Sequence, residues 1–399
     1  MAFDVSGARI WPVPPDWSAG VKESLAWGSD VMQASGTAVT QHRSWRASPR
    51  RAFSFNVLAD AQSRRVAEML IAGWNGAWQL PIWPDVQVLS ATLASGATSI
   101  PCNTTGFDFV AGGKALLYSS VNTWAVVSIA SIASGALTLS AATTAAWPAG
   151  TRLYPLRKAR LRDNAQERQL SDDIGNRSLT FDISEFCDWP VLTGVTQYLG
   201  HDVLEKRPDE GEDPTSSFAR LQQTVDYGGA FPVVADLPGI ALRVQQTNWV
   251  LYGRPEHTWY RSFLYTRCGR TAPIWVPSFT ADLKAAASIA GNSTTLSVEW
   301  AGYTLFGKGK ANRKDVRIEL MDGTVYYRRI TNSVEAGATE TLTLSALLRA
   351  TAITPTQIRQ ISFLSLCTLA GDELTITHET DAEGLATSTT GWQAVVPDV

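Results

Sequence analysis

Alternating apolar and polar side chains dominate the chain, interrupted by two short stretches of helical spacing. Arg51-Ala52-Phe53-Ser54-Phe55-Asn56-Val57 has the period of two expected of a half-buried strand. Asp60 then offers an N-cap, Val66, Met69 and Leu70 form an apolar stripe, and Gly73 is placed to end a helix before the aromatic segment Trp74 to Trp83. The order returns later. Trp249-Val250-Leu251-Tyr252 reads as strand, Pro255 stands where a helix begins, Trp259, Tyr260, Phe263 and Leu264 supply its buried face, and Gly269 follows as a stop. Downstream, Val316 to Met321 and Val325 to Ile330 flank Asp322-Gly323, a type I′ hairpin signal. Ala115 to Val121 and Trp124 to Ile129 flank Asn122-Thr123 in the corresponding place.

Short words recur with these elements. Pro81-Ile82-Trp83 returns as Pro273-Ile274-Trp275, Gly96 to Ile100 as Gly291 to Leu296, and Leu137-Thr138-Leu139-Ser140 as Leu342-Thr343-Leu344-Ser345. Ordered matches of this kind are the mark of an internal repeat. The fold class expected is mainly β, with two tandem similar β-rich modules, each holding a short helix and an inserted or following small β-barrel or sandwich. The expected divisions are an N-terminal arm (1–40), a first module (41–200, small β domain about 95–155), a linker (201–217) and a second module (218–399, small β domain about 284–370). Trp11-Pro12-Val13-Pro14-Pro15 makes the arm irregular in this reading, packed on something else. Lys206 to Pro214 is charged and free of apolar residues, as a linker or exposed loop is.

Composition narrows the function classes. The net charge of −3 over 399 residues gives no global attraction to a polyanion. Charged residues are 18 % of the chain, against roughly 25 % in ordinary soluble domains. There are 15 Trp, and Arg far outnumbers Lys. Low charge with abundant aromatics and Arg suits a surface partly covered by neighbouring subunits. Cys102, Cys187, Cys268 and Cys367 form no C-x-x-C pair and are expected to be plain thiols of a chain made in a reducing cytoplasm. Met1 to Val5 lacks the basic and apolar stretches of a secretory signal, and no run reaches the ~18 apolar residues of a membrane span. A soluble protein is expected.

Chemistry is sparse. Gly112-Gly113-Lys114 fails as a P-loop because Ala115 stands where Ser or Thr is needed. His42, His201, His257 and His378 are scattered without metal-ligand spacing, and there is no nucleophile elbow. Asp172-Asp173 with Asp182 or Glu185 could be drawn as a glycosidase pair, although the first two read more simply as a turn. No catalytic, cofactor or metal site is assigned, and no enzyme is expected. Two basic clusters remain. Arg43, Arg46, Arg50 and Arg51 surround Trp45, and Arg157, Lys158, Arg160 and Arg162 lie on one strand, with Lys158, Arg160 and Arg162 on one face. These eight residues are the candidates for a subunit interface or channel lining; a solvated face is the plain alternative. Gly307-Lys308-Gly309-Lys310 with Arg313 and Lys314 makes a further basic loop.

The Arg and Trp residues near Pro49-Arg50-Arg51, the alternating strand, the short helix and the run Gly76-Ala77-Trp78-Gln79-Leu80-Pro81-Ile82-Trp83 resemble minor tail proteins of long-tailed bacteriophages, of the distal-tail or baseplate kind. The resemblance implies a β-rich virion protein, assembled in the host cytoplasm, that forms a ring between the tail tube and the hub or receptor-binding apparatus. It carries no catalytic residues and no cofactor. The departure is the duplication, since simple distal-tail proteins hold one such unit. Tail tubes of that class are sixfold and the hub threefold, so a trimer of two-module chains with pseudo-sixfold symmetry is favoured over a hexamer, with DNA passing transiently through the channel. The other readings are a carbohydrate-binding adhesin module, on the strength of the tryptophans, and a cell-wall hydrolase.

Overall fold

The computed structural model describes residues 8–162, 166–211, 214–229, 231–381 and 384–396. Glu212 and Asp213 of the expected linker lie outside the described residues, as does the start at Met1 to Val5. The protein is mainly β. Its N-terminal half contains β1 (Arg9–Ile10), β2 (Val21–Ala26), β3 (Ser29–Gln33), β4 (Thr40–Ser44), β5 (Arg50–Asp60), α1 (Ala61–Ala72), β6 (Trp78–Pro81) and β7 (Gln87–Val88). There follow β8 (Ser99–Pro101), β9 (Lys114–Ser120), β10 (Thr123–Ala133), β11 (Ala136–Leu139), β12 (Arg152–Leu161), β13 (Glu167–Gln169) and β14 (Ile174–Ile183). The C-terminal half contains β15 (Gln197–Tyr198), β16 (His201–Val203), β17 (Ser216–Val225), β18 (Val233–Tyr252), α2 (Gly253–Arg267) and β19 (Ile274–Pro277). It ends with β20 (Thr295–Glu299), β21 (Asp315–Leu320), β22 (Val325–Ala336), β23 (Thr339–Leu344), β24 (Ile358–Leu369), β25 (Glu373–His378) and β26 (Leu385–Ala394).

The strands pair in a definite order. β1 runs parallel to β6, β6 pairs with β12, β12 with β9 and β14, and β14 with β5. β9, β10, β11 and β8 continue as an antiparallel ladder, and β13 lies on β14. In the C-terminal half β16 runs parallel to β19, β19 pairs with β24, β24 with β21 and β26, and β26 with β18. There β21, β22, β23 and β20 form the ladder, and β25 lies on β26. Each pairing of the first set has its counterpart in the second, in the same chain order. β2 joins the halves: it pairs with β5 on one edge and with β25 on the other, so one sheet runs through both.

Burial follows the alternation. Phe53, Phe55 and Val57 of β5 enter a core with Trp11, Trp78, Leu80 and Phe181. Tyr260, Phe263 and Leu264 of α2 enter a second core with Trp249, Ile376 and Trp392. Two smaller cores lie under the ladders, one around Ile100, Leu117, Leu137 and Leu153, the other around Leu296, Ile318, Leu342 and Ile361. The shared Leu-Thr-Leu word is equivalent in place. Leu137 faces Ile100 and Leu139 faces Ile129, as Leu342 faces Leu296 and Leu344 faces Ile330.

Four expectations change. The small ladders do not form a closed barrel; each is an open sheet folded over its own core. The arm is not irregular throughout, because its prolines stop pairing only up to Pro15, and beyond Gly20 the alternation of Val21, Glu23 and Leu25 builds β2. The Pro-Ile-Trp words are out of step. Pro81 closes β6 with Ile82 and Trp83 beyond it, whereas Pro273 precedes β19 and Ile274 and Trp275 open it. Both tryptophans are buried, but they do not share a position. Met69 does not join a buried stripe, since α1 turns Ala67, Leu70 and Ile71 inward and leaves Met69 70 % exposed.

Candidate functional site

The chain places its densest chemistry where the two halves meet. The alternation of β2 turns Glu23 inward between Val21 and Leu25, and no part of Glu23 reaches solvent. Its Oε1 accepts from Arg51 Nε at 2.6 Å, and its Oε2 from Arg261 Nη2 at 2.8 Å. His378 Nε2 lies 2.9 Å from the same Oε2 and carries the proton there, because an ionised carboxylate can only accept. Arg51 reaches on to Asp108, which Arg157 also binds, through Nε at 3.1 Å and through Nη2. The backbone N–H of Asp108 donates to Asp85 Oδ2 at 2.9 Å. Asp85 in turn accepts from Arg254 Nη1 at 2.7 Å and has Arg261 Nη1 at 3.5 Å. At the rim, Glu185 accepts from Arg157 at 3.1 Å.

Charge balances across this cluster: Arg51, Arg157, Arg254 and Arg261 face Glu23, Asp85, Asp108 and Glu185. The guanidinium planes also rest on rings, Arg254 over Phe107 at 4.1 Å and Arg261 over Trp189 at 4.5 Å. Burial raises the Glu23 carboxyl, but Arg261, Arg51 and the His378 hydrogen bond outweigh it and hold it well below the usual carboxylate range. Burial opposes ionisation of Asp85 too, and Arg254 and Arg261 overcome it, leaving that carboxyl at about 2. His257, 5.8 Å from His378 between ring centroids, is pushed down to about 4 by burial first and by His378 and Arg254 next. Each carboxylate of the cluster is paired with at least one arginine. The cluster clamps α2 and β25 of one half to β2, β5 and β12 of the other.

The eight basic candidates divide. Arg51 and Arg157 are buried in this clamp and so do not form part of a surface row; both lie on inward positions of their strands. Lys158 and Arg160 share an exposed face of β12, and Arg162, exposed one residue past its end, binds Asp182 at 2.7 and 2.8 Å. Arg43 and Arg50 are exposed, and Arg46 is half-buried, donating to the Ala26 carbonyl at 3.2 Å. Of the four carboxylates weighed for a glycosidase pair, three are held by arginines: Asp173 by Arg65, Asp182 by Arg162 and Glu185 by Arg157. In the basic loop, Lys308 turns back to Asn332 Oδ1 and the Ser333 carbonyl, both at 2.9 Å, and Arg313 lies over Phe363.

A cleft of about 420 Å³ lies between the root of β17–β18 and the loop 301–313, lined by Phe218, Arg243, Asp282, Tyr303, Phe306 and Arg313 among others. Asp282 is the acid facing it, and its oxygens are taken by Ser278, Thr280 and the Phe363 N–H. Six of the 15 tryptophans, Trp11, Trp78, Trp83, Trp249, Trp275 and Trp392, are fully enclosed in the cores. Among the described residues no helix is long and apolar enough to cross a membrane.

A further exposed surface is apolar. β17 and β18 form a hairpin that touches the C-terminal core through Leu221 and Ile240, while its outer end leaves Tyr227 91 % and Phe231 95 % exposed, with Val233, Val234 and Leu237 also in solvent. Sequence reasoning missed this hairpin and the clamp partners Glu23, Asp85, Asp108, Arg254 and Arg261. The available signal was a charged residue on an inward position, as at Glu23 in Val21-x-Glu23-x-Leu25, and an apolar run after a charged linker. A comparison with known protein families and with curated proteins finds no match to this chain.

Proposed function

We propose that this chain is a structural component of a bacteriophage tail tip or baseplate, forming a ring that connects the tail tube to the hub or receptor-binding apparatus. The observation that carries the reading is the recurrence, pairing by pairing, of the β1-to-β14 arrangement in β16 to β26. It supports two tandem β-rich modules, each with an inserted open sheet, fused through β2. A duplicated unit with no assembled catalytic group suits a surface that tiles. The exposed hairpin adds to this, because an isolated soluble protein rarely leaves so much apolar surface uncovered. The resemblance of residues 43–93 to minor tail proteins gives the reading its biological setting. Three such chains would set six similar units about an axis, matching a sixfold tube above and a threefold hub below. A hexamer is the other closed arrangement. Lys158, Arg160 and Arg162 are then the candidates to face a channel through which DNA passes.

Electron microscopy of the purified protein tests the proposal. Rings with a central hole are expected, and a lone compact particle at high concentration contradicts it. Binding on a glycan array that is lost on replacing the exposed Trp45 or Trp300 would favour an adhesin instead. Clearing of purified peptidoglycan would favour a hydrolase.

A further inference from the structure

β2 has partners on both edges, whereas β17 pairs only with β18 among the described residues. The two strands stand at the same place beside their neighbours. Glu23 faces Phe53, and Ser216 faces Gln245; each of those partners lies the same number of residues before the end of the strand that leads into a helix, at Asp60 and at Tyr252. The strand that covers the far edge of β2 also has a double. Ile376 of β25 faces Ser388 on β26, which faces Trp249; Glu167 of β13 faces Arg177 on β14, which faces Val57. Trp249 and Val57 again lie at one distance from their helices. Within the chain, then, a β2 edge meets a β25 edge. The equivalent edges, β17 and β13, have no second strand partner among the described residues and lie at opposite ends of the joined sheet.

We infer that β17 of one copy pairs antiparallel with β13 of a second copy, repeating between chains the junction that β2 and β25 make inside one. The inner register, Glu23 opposite Ile376 and Lys22 opposite Thr377, transfers to Ser216 opposite Glu167 and Thr215 opposite Arg168. Side chains fit the same substitution. Leu25, Trp27 and Ala38 of the N-terminal half are buried in the core of the C-terminal half. The place of Leu25 is taken on β17 by Phe218, which is 58 % exposed, with Arg313 over its ring at 5.6 Å. Beyond it, Tyr227, Phe231, Val233 and Leu237 occupy the hairpin that corresponds to β3–β4. On the receiving side, the place of Arg261 on α2 is taken on α1 by Met69, which is exposed, and Leu58, Leu170 and Ile174 are further exposed apolar residues of the same half. The inner junction is ionic and sealed; the outer one is apolar and open, as a joint made after folding must be. Each copy offers one edge of each kind, so the contact is heterologous and propagates in one direction. A second copy is the occupant because both halves of the joint are on this chain and agree in strand direction and register. The inference rests on the ring reading only for the closure of the series.

The test is a cysteine pair, Ser216→Cys with Glu167→Cys, in the full chain under mild oxidation. Covalent dimers and trimers on a non-reducing gel are expected, since opposed strand positions bring Cα atoms within disulfide reach. The out-of-register pair Val225→Cys with Glu167→Cys, and each single variant, should give none. Adding Phe218→Asp, an exposed change that leaves the melting profile intact, should abolish the covalent species. Rings seen by microscopy without this cross-link would overturn the edge pairing and leave the ring reading standing. Cross-linked open chains without closed rings would support the pairing and remove the ring. A chain that stays monomeric and unlinked at all concentrations would overturn both.

Discussion

Glu23 occupies a place where the alternation of β2 calls for an apolar side chain, and its cost is met only because Arg51, Arg261 and His378 converge on it. Replacing Glu23 by Ala takes one carboxylate partner from each of two buried guanidinium groups, Arg51 and Arg261, so unfolding in denaturant should show a loss of roughly 3–5 kcal/mol. Arg162→Ala, which removes an exposed pair with Asp182, should cost no more than about 1 kcal/mol in the same assay. The cluster also sets the response to acid. His257 is neutral in the folded chain, with its pKa lowered from 6.5 to about 4, so the unfolded chain binds the extra proton first. Stability should therefore fall as pH drops from about 6.5 toward 4, and this limb should flatten in His257→Gln. Glu23 and Asp85, depressed in the folded state, contribute stability that is present above the ordinary carboxylate range. That contribution is lost as pH falls toward about 2. Melting temperatures across pH 2 to 7 check both limbs; a single transition near the ordinary carboxylate range would contradict them.

Elements carry the junction through close approach. Gly269, after α2, has φ +65°, and a Cβ there would stand 2.8 Å from Trp27 Cβ and 2.6 Å from Asp372 Oδ1. Gly269→Ala should destabilise the fold by about 1–3 kcal/mol, through overpacking and a disfavoured backbone, read from the shift in denaturation midpoint. An unchanged midpoint would mean that Trp27 is not seated against α2. What could be read in advance follows the range of each signal. β5, α1, α2, the hairpin at Asp322-Gly323 and the Leu-Thr-Leu strands were legible because periodicity and turn residues are local. The pairing of β2 with β25 was not, since a strand edge gives no sign in its own residues of which distant strand will cover it. Pro-Ile-Trp misled for a related reason: identical words mark composition, whereas ladder register marks position, and here they differ. Arg51 was placed in a surface row because its cluster was read by nearness along the chain. The period of β5 already put it beside Ala52 and Phe53 on the way into the core, with Asp108 supplying the counter-charge from the first ladder.

At the scale of the molecule, two halves with matched pairings share one sheet, whose end strands β13 and β17 have one partner each among the described residues. The inner joint is satisfied with charge, and the proposed outer joint is apolar, as suits a subunit that folds alone and then assembles. For the ring to hold, each outer joint must bury well over ~1,000 Å². In the proposed joint, edge pairing supplies part of that area and the exposed hairpin around Tyr227 and Phe231 the remainder. The most direct test is the mass of the purified protein in solution, measured by light scattering over a range of concentrations. The account predicts a closed trimer of 43.3 kDa chains, about 130 kDa, whose size stops growing once formed. A particle that remains at 43.3 kDa at the highest concentration, or one that settles at six chains, would contradict it.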